Sequence, residues 1–148
     1  TIFTEVRLKK FIEVRGADAG NWRRTCALPA FWVGILYDKK VLKSALDLCI
    51  NWNFKDVEAL SLDVSKNGLT ARINGTLVKE IASELLALSK RGLKNRNLLD
   101  ANGNDETQYL KVLEEIIKTE KTPAEQLLRD YKSIWGQDIN RLIKEMSY

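Results

Sequence analysis

From Phe3 to Arg15 the side chains alternate. Val6, Leu8, Lys10, Ile12 and Val14 fall on even positions, and Arg7, Lys9, Phe11, Glu13 and Arg15 on odd ones. A period of two predicts a strand with one mostly apolar face and one charged face. Leu8, Phe11, Ile12 and Arg15 also recur about one turn apart, so a helix is the competing reading. A lone strand leaves its backbone groups without a partner ladder, and no second convincing strand follows downstream. The expectation is therefore that the receiving sheet lies outside these residues and that the chain is a C-terminal portion of a longer protein.

After Phe3–Arg15 the pattern changes. Gly16-Ala17-Asp18-Ala19-Gly20-Asn21 has the composition of a turn-rich loop, and the rest reads as helices. Pro29 suits the first turn of a helix reaching about Tyr37, with Phe31, Trp32, Ile35 and Leu36 available for burial. Asp38 can cap a second helix to about Trp52, with Val41, Leu42, Ala45, Leu46, Leu48 and Cys49 on its apolar face. A short helix over about Lys55 to Val64 ends at Asn67-Gly68. A long one from about Thr76 to Arg91 carries Leu77, Ile81, Leu85 and Leu88 and stops near Gly92. The polar stretch Asn95 to Asp105 then connects to a helix over about Glu106–Thr119 with Leu110, Leu113, Ile116 and Ile117 inward. Thr122-Pro123-Ala124-Glu125 is a capping box opening a helix to about Trp135, Gly136 ends it, and Asp138 to Met146 forms the last. The fold class expected for these residues is mostly α, one N-terminal strand followed by six or seven helices.

Composition narrows the chemistry. The 148 residues contain no His and two Cys, which excludes a histidine general base, a Ser-His-Asp triad, a His-ligated zinc and a four-cysteine zinc site. An apolar fraction of 45% with 30% charged residues is that of a globular domain. No apolar run approaches the roughly 20 residues of a membrane span, so a membrane partner is not expected. The two cysteines, Cys26 and Cys49, read as reduced and structural. The net charge is +4. Residues 1–24 hold six basic and three acidic groups, so most of the excess sits in one short segment.

The strongest chemical constellation lies in that segment. On a strand, Glu13 and Arg15 point into the same space about 7 Å apart, with Arg7 and Lys9 on the same face. A carboxylate and a guanidinium so placed can hold a hard divalent cation and adjacent phosphate oxygens. A solvated strand face with a mild ion pair is the plainer reading, and spacing alone favours it. The loop Gly16–Gly20 lacks both the P-loop Lys-Ser/Thr and the GxGxxG spacing. Trp22-Arg23-Arg24 offers an aromatic and two cations, for an anion or for the surface. The aromatics do not interleave with Lys and Arg as a single-strand nucleic-acid groove requires, and Lys90–Arg96 reads as a solvated helix end.

The run Glu5-Val6-Arg7-Leu8-Lys9-Lys10-Phe11-Ile12-Glu13-Val14-Arg15-Gly16-Ala17-Asp18 closely resembles a signature of glutamate–cysteine ligases of the plant and alphaproteobacterial type. Trp22-Arg23-Arg24 and Cys26-Ala27-Leu28-Pro29-Ala30-Phe31-Trp32-Val33-Gly34 continue the resemblance. Thr122-Pro123-Ala124-Glu125 and Trp135-Gly136-Gln137 are similar to the family's C-terminal helices. The resemblance implies an α+β parent enzyme built on a glutamine synthetase-like antiparallel sheet. Residues 1–24 would be a strand of that catalytic sheet and its following loop, and residues 25–148 a helical region packed on it. It implies ATP-dependent ligation of the glutamate γ-carboxylate to cysteine through a γ-glutamyl phosphate, the first step of glutathione synthesis. Mg²⁺ is the implied cofactor; ATP, glutamate, cysteine and the remainder of its own chain are the implied partners.

Carried over residue by residue, the resemblance makes Glu13 a metal ligand and Arg15 a catalytic arginine for phosphate or substrate carboxylate. Arg7 and Lys9 become further ATP- or substrate-binding candidates, and after them Arg23 and Arg24. The family's other metal-binding carboxylates and most nucleotide contacts fall outside these residues, so the fragment alone is expected to be inactive. A cytoplasmic location is expected, or a plastid in a plant. The helices read as scaffold, with an oligomer contact open. The competing expectation is a stand-alone helical interaction module with a basic N-terminal arm.

Overall fold

The computed structural model of the chain describes residues 4–18 and 20–146. Phe3, where the predicted strand begins, and Ala19 of the predicted loop lie outside the described residues. Helices dominate, as the periodicity predicts, but the N-terminal strand does not run straight. It folds on itself as an antiparallel hairpin, β1 (Val6–Leu8) and β2 (Ile12–Val14), with Val6 opposite Val14, Arg7 opposite Glu13 and Leu8 opposite Ile12. The turn is Lys9-Lys10-Phe11, where the Lys9 N–H donates to the Phe11 carbonyl at 2.8 Å. Beyond the strands the Arg15 N–H donates to the Glu5 carbonyl, also at 2.8 Å. The single strand is thus corrected to two. Its backbone groups find their ladder locally, through a turn containing none of Gly, Asn, Asp or Pro.

A second correction concerns the absence of strands downstream. Arg72–Ile73 (β3) and Thr76–Leu77 (β4) form another antiparallel hairpin. Asn74 and Gly75 make its turn with φ of 48° and 84°, the left-handed pair that matches hairpin twist. The helix expected from Thr76 therefore starts later, as α4 (Val78–Arg96), where Glu80 accepts the Leu77 N–H.

Helix α1 (Trp22–Leu36) begins seven residues before Pro29, because Asn21 caps it by accepting the Arg24 N–H at 3.2 Å. Pro29 lies inside the helix on an exposed position, where a missing N–H costs one bond and its ring forfeits no core contact. The helices α2 (Lys39–Cys49), α3 (Phe54–Asn67), α5 (Lys111–Thr119), α6 (Pro123–Ser133) and α7 (Ile139–Met146) follow. Asp38 caps α2 through the Lys40 and Val41 amides, and Thr122 with Glu125 completes the predicted box on α6. The helix expected from Glu106 splits into a 3₁₀ turn, Glu106–Leu110, and α5.

The core lies where α1 crosses α4, with α2 and α5 against the pair. Ala30, Leu86, Leu93 and Leu110 form one buried cluster; Ile35, Val41, Ala45 and Leu88 form the other. Phe31 packs against both. The crossing is close because two glycines meet. A Cβ on Gly92 would fall on the Gly34 carbonyl group, and one on Gly34 would meet Ser89. Helix α4 therefore does not stop at Gly92, as expected from the sequence, but runs through it to Arg96. The glycine costs the helix about 1 kcal/mol and in return permits backbone approach. Beside it the fully buried Ser89 hydroxyl donates to the Phe31 carbonyl at 2.9 Å. On α2 the predicted apolar face is only half used: Leu42 and Leu46 remain exposed.

Candidate functional site

The hairpin preserves the odd–even division of its sequence, because cross-strand partners are both odd or both even. Val6, Leu8, Ile12 and Val14 share one face; Arg7 and Glu13 face each other on the opposite one. The structure brings four of the six sequence candidates together there. Arg7 Nε donates to Glu13 Oε2, and Lys9 Nζ lies 3.6 Å from Glu13 Oε1. Lys9 is also held over the Phe11 ring, 5.8 Å from its centroid. Arg15 follows two residues after Glu13 on the same strand edge, and its positive charge acts on the Glu13 carboxylate.

These cations set the protonation of the site. The Arg7 hydrogen bond holds the Glu13 carboxyl below the ordinary glutamate range, against a smaller opposing desolvation, and the charges of Arg7, Lys9 and Arg15 act in the same direction. The same hydrogen bond raises Arg7. At neutral pH the ionised Glu13 carboxylate lies among the cations Arg7, Lys9 and Arg15, a grouping that attracts polyanions.

Arg23 and Arg24 sit on the first turn of α1 and diverge. Arg23 donates to Glu115 Oε1 of α5 at 2.8 Å, an exposed ion pair. Arg24 packs over Gly20 and lines a groove of about 1160 Å³ between the hairpin and the helical body. The groove floor is apolar, with Val6 and Val14 on the hairpin side and Leu28, Phe31, Trp32, Leu85 and Ile116 on the helical side. Glu5 and Asp18 also line it. Neither carboxylate is a candidate from the sequence, since an isolated acid such as Glu5 beside Val6 or Asp18 between two alanines carries no spacing signal. Trp22, the aromatic of the Trp-Arg-Arg run, is exposed.

Glu13 places a hard oxygen donor on the charged face, and its deprotonated form is the one that ligates Mg²⁺. Among the described residues no group of three or more Cys, Asp or Glu is arranged to hold a metal ion. A divalent cation held by Glu13 would need phosphate oxygens or carboxylates from elsewhere to complete its coordination. Cys26 and Cys49 are free thiols. No described helix is long and apolar enough to cross a membrane.

Comparison with known proteins places the chain in a family. The model of Glutamate-cysteine ligase family 2 (GCS2) matches residues 1–145. The chain is 45% identical over all 148 residues to the chloroplastic glutamate–cysteine ligase of Solanum lycopersicum, covering 27% of that protein. It is 45% identical to the Brassica juncea enzyme of the same name, covering 28%, and 44% identical to that of Arabidopsis thaliana, covering 27%. The chain thus spans little more than a quarter of the length of these relatives, and matches them from its first residue to its last. It belongs to the glutamate-cysteine ligase family 2.

Proposed function

We propose that the chain serves as the C-terminal part of an ATP-dependent ligase joining glutamate through its γ-carboxylate to the amine of cysteine, the first step of glutathione synthesis. The observation that carries this reading is the hairpin face, where Arg7, Lys9 and Arg15 surround the ionised Glu13, in a chain whose family is named for that ligation. In the reaction a γ-carboxylate oxygen attacks the terminal phosphorus of ATP and the bond to ADP breaks. The cysteine nitrogen then attacks the acyl carbon of the γ-glutamyl phosphate, loses a proton, and phosphate departs. Phosphoryl transfer of this kind asks the protein for positioning and charge neutralisation, which needs no histidine.

In that scheme Arg15 binds phosphate or substrate carboxylate oxygens through its planar fork, and Arg7 and Lys9 add positive charge on the same face. Glu13 supplies a carboxylate oxygen to Mg²⁺. When bound, Mg²⁺ neutralises phosphate oxygens and orients them. Arg24, at the groove, is a further contact for an anionic substrate group, whereas Arg23 serves through Glu115 to fix α1 against α5. The groove receives the remainder of the ligase polypeptide, and the hairpin β1–β2 joins its catalytic sheet, whereas residues 22–24, expected with that strand and loop, belong to α1. The compartment is a plastid, as the chloroplastic relatives suggest.

The test is substitution in the complete ligase. Glu13→Gln lowers turnover by roughly 10²-fold or more, as removal of one charge-stabilising group does. Arg15→Lys is also severe, since an ammonium cannot reproduce the bidentate fork. Near-normal activity of Glu13→Gln, or an unchanged ATP and glutamate dependence in Arg15→Lys, overturns the assigned roles. If the chain were instead a stand-alone basic module, these 148 residues would bind nucleic acid with steep salt dependence.

A further inference from the structure

The charged face contains a conflict that the assigned roles must resolve. Glu13 Oε2 accepts from Arg7, and Oε1 faces Lys9 at 3.6 Å. Among the described residues Arg7 has no other side-chain partner. Both carboxylate oxygens thus already face cations, and the Arg15 charge acts on the same group. A bare divalent cation approaching Glu13 meets three positive charges and a competitor for its ligand. A cation that arrives carrying phosphates meets the opposite field, because its own negative oxygens are attracted to the groups that repel the bare ion.

Resting on the proposed role of Glu13, we infer that Arg7 and a divalent cation exchange on the Glu13 carboxylate, so that the cation enters this position only as its nucleotide complex. The exchange makes and breaks no covalent bond. The carboxylate leaves the Arg7 guanidinium for the cation, and the freed guanidinium turns its N–H donors to phosphate. Lys9 has a second contact of its own, the Phe11 ring. Arg7 is then a gate on metal entry as well as a phosphate contact.

The experiment titrates the complete ligase with Mn²⁺ alone and with Mn²⁺ plus a non-hydrolysable ATP analogue, following free Mn²⁺ by electron paramagnetic resonance. The difference between each protein and its Glu13→Gln counterpart isolates the ion at Glu13. Removing the competitor in Arg7→Gln should tighten binding of Mn²⁺ alone by about tenfold or more and narrow the advantage of the nucleotide complex. Arg7→Lys, which keeps the charge but loses the fork, should lie between, and circular dichroism reports whether each variant is folded. If both Arg7 variants bind Mn²⁺ alone no more tightly than the unsubstituted enzyme, the exchange is overturned. If instead Glu13→Gln leaves Mn²⁺–nucleotide binding unaltered, the metal role of Glu13 fails, and that failure is distinct because it needs no Arg7 variant.

Discussion

The hairpin and the helical body are held by different physics. In the body Val41, Ser89, Leu93 and Leu110 have no more than traces of solvent contact, and the α1–α4 crossing is tight enough to require glycine on both helices. In the hairpin Leu8 is 86% exposed and Phe11 and Ile12 are more than half exposed. Two three-residue strands are not stable by themselves; what defines them here is a short ladder and one charged cross-strand pair. The candidate chemistry sits on the weakly buried region and the packing energy in the other. Substitutions should therefore divide cleanly, with those in the body changing stability and those in the hairpin changing chemistry.

The largest expected effect tests the body at its tightest point. Gly92→Ala places a methyl on the Gly34 carbonyl group, with no flexible side chain to yield. It should cost about 3 kcal/mol or more, seen as a fall of roughly 10 °C in the thermal midpoint. A midpoint unchanged within error would mean the helices can separate, and the contrast between the regions would weaken. Next comes Leu110→Ala, which opens a cavity in the first core cluster. A loss of about 2–5 kcal/mol is expected in denaturant titration, with no change in the denaturant slope.

The opposite arm of the comparison is Arg7→Gln. Its ion pair is solvent-accessible, and exposed pairs contribute little to stability. The thermal midpoint should hold while metal and nucleotide binding change. A large drop in the midpoint would show that the hairpin is structurally coupled to the body after all.

The smallest effect concerns the loop before the 3₁₀ turn. The Asp100 carboxylate accepts from the Gln108 side chain and from the Asn104 and Asn102 amides, which lower its pKa to about 2. A carboxyl depressed in the folded state stabilises above its unfolded pKa, and that stabilisation fades as pH falls. The Asn102 and Asn104 amides should lose hydrogen-exchange protection between about pH 4 and pH 2. In Asp100→Asn that pH dependence should vanish. Equal protection across the window in the unsubstituted chain would remove Asp100 as the organiser of this loop.

Much of the body was legible in the sequence because capping and apolar spacing are local signals. Asp38 and Thr122-Pro123-Ala124-Glu125 marked helix starts that the fold keeps. The differences arise where a residue answers to a distant partner or where two local signals compete. Gly92 reads as a helix stop and acts as a crossing point, and Pro29 reads as a helix start although Asn21 had already capped the helix. Asn74-Gly75 was a readable hairpin signal that the helical pattern around it masked. At the site, alternation alone put Arg7, Lys9, Glu13 and Arg15 on one face. It could not supply the Arg7–Glu13 contact, which depends on the chain reversing between them. Nor could it separate Arg23 from Arg24, because their directions are set by Glu115 and Gly20 in space.

The three-residue turn at Lys9-Lys10-Phe11 also governs which mutations this segment can accept. Because the paired residue numbers add to twenty in every rung, each face collects one parity. If the three-residue turn is kept, one inserted residue slips one strand by a position against the other and sets charged residues opposite apolar ones at every rung. The turn bears no residue with special backbone needs, so its identities can drift while its length cannot. An insertion scan across residues 5–15 should therefore find activity lost to single-residue insertions in the turn and retained under most exchanges of Lys10.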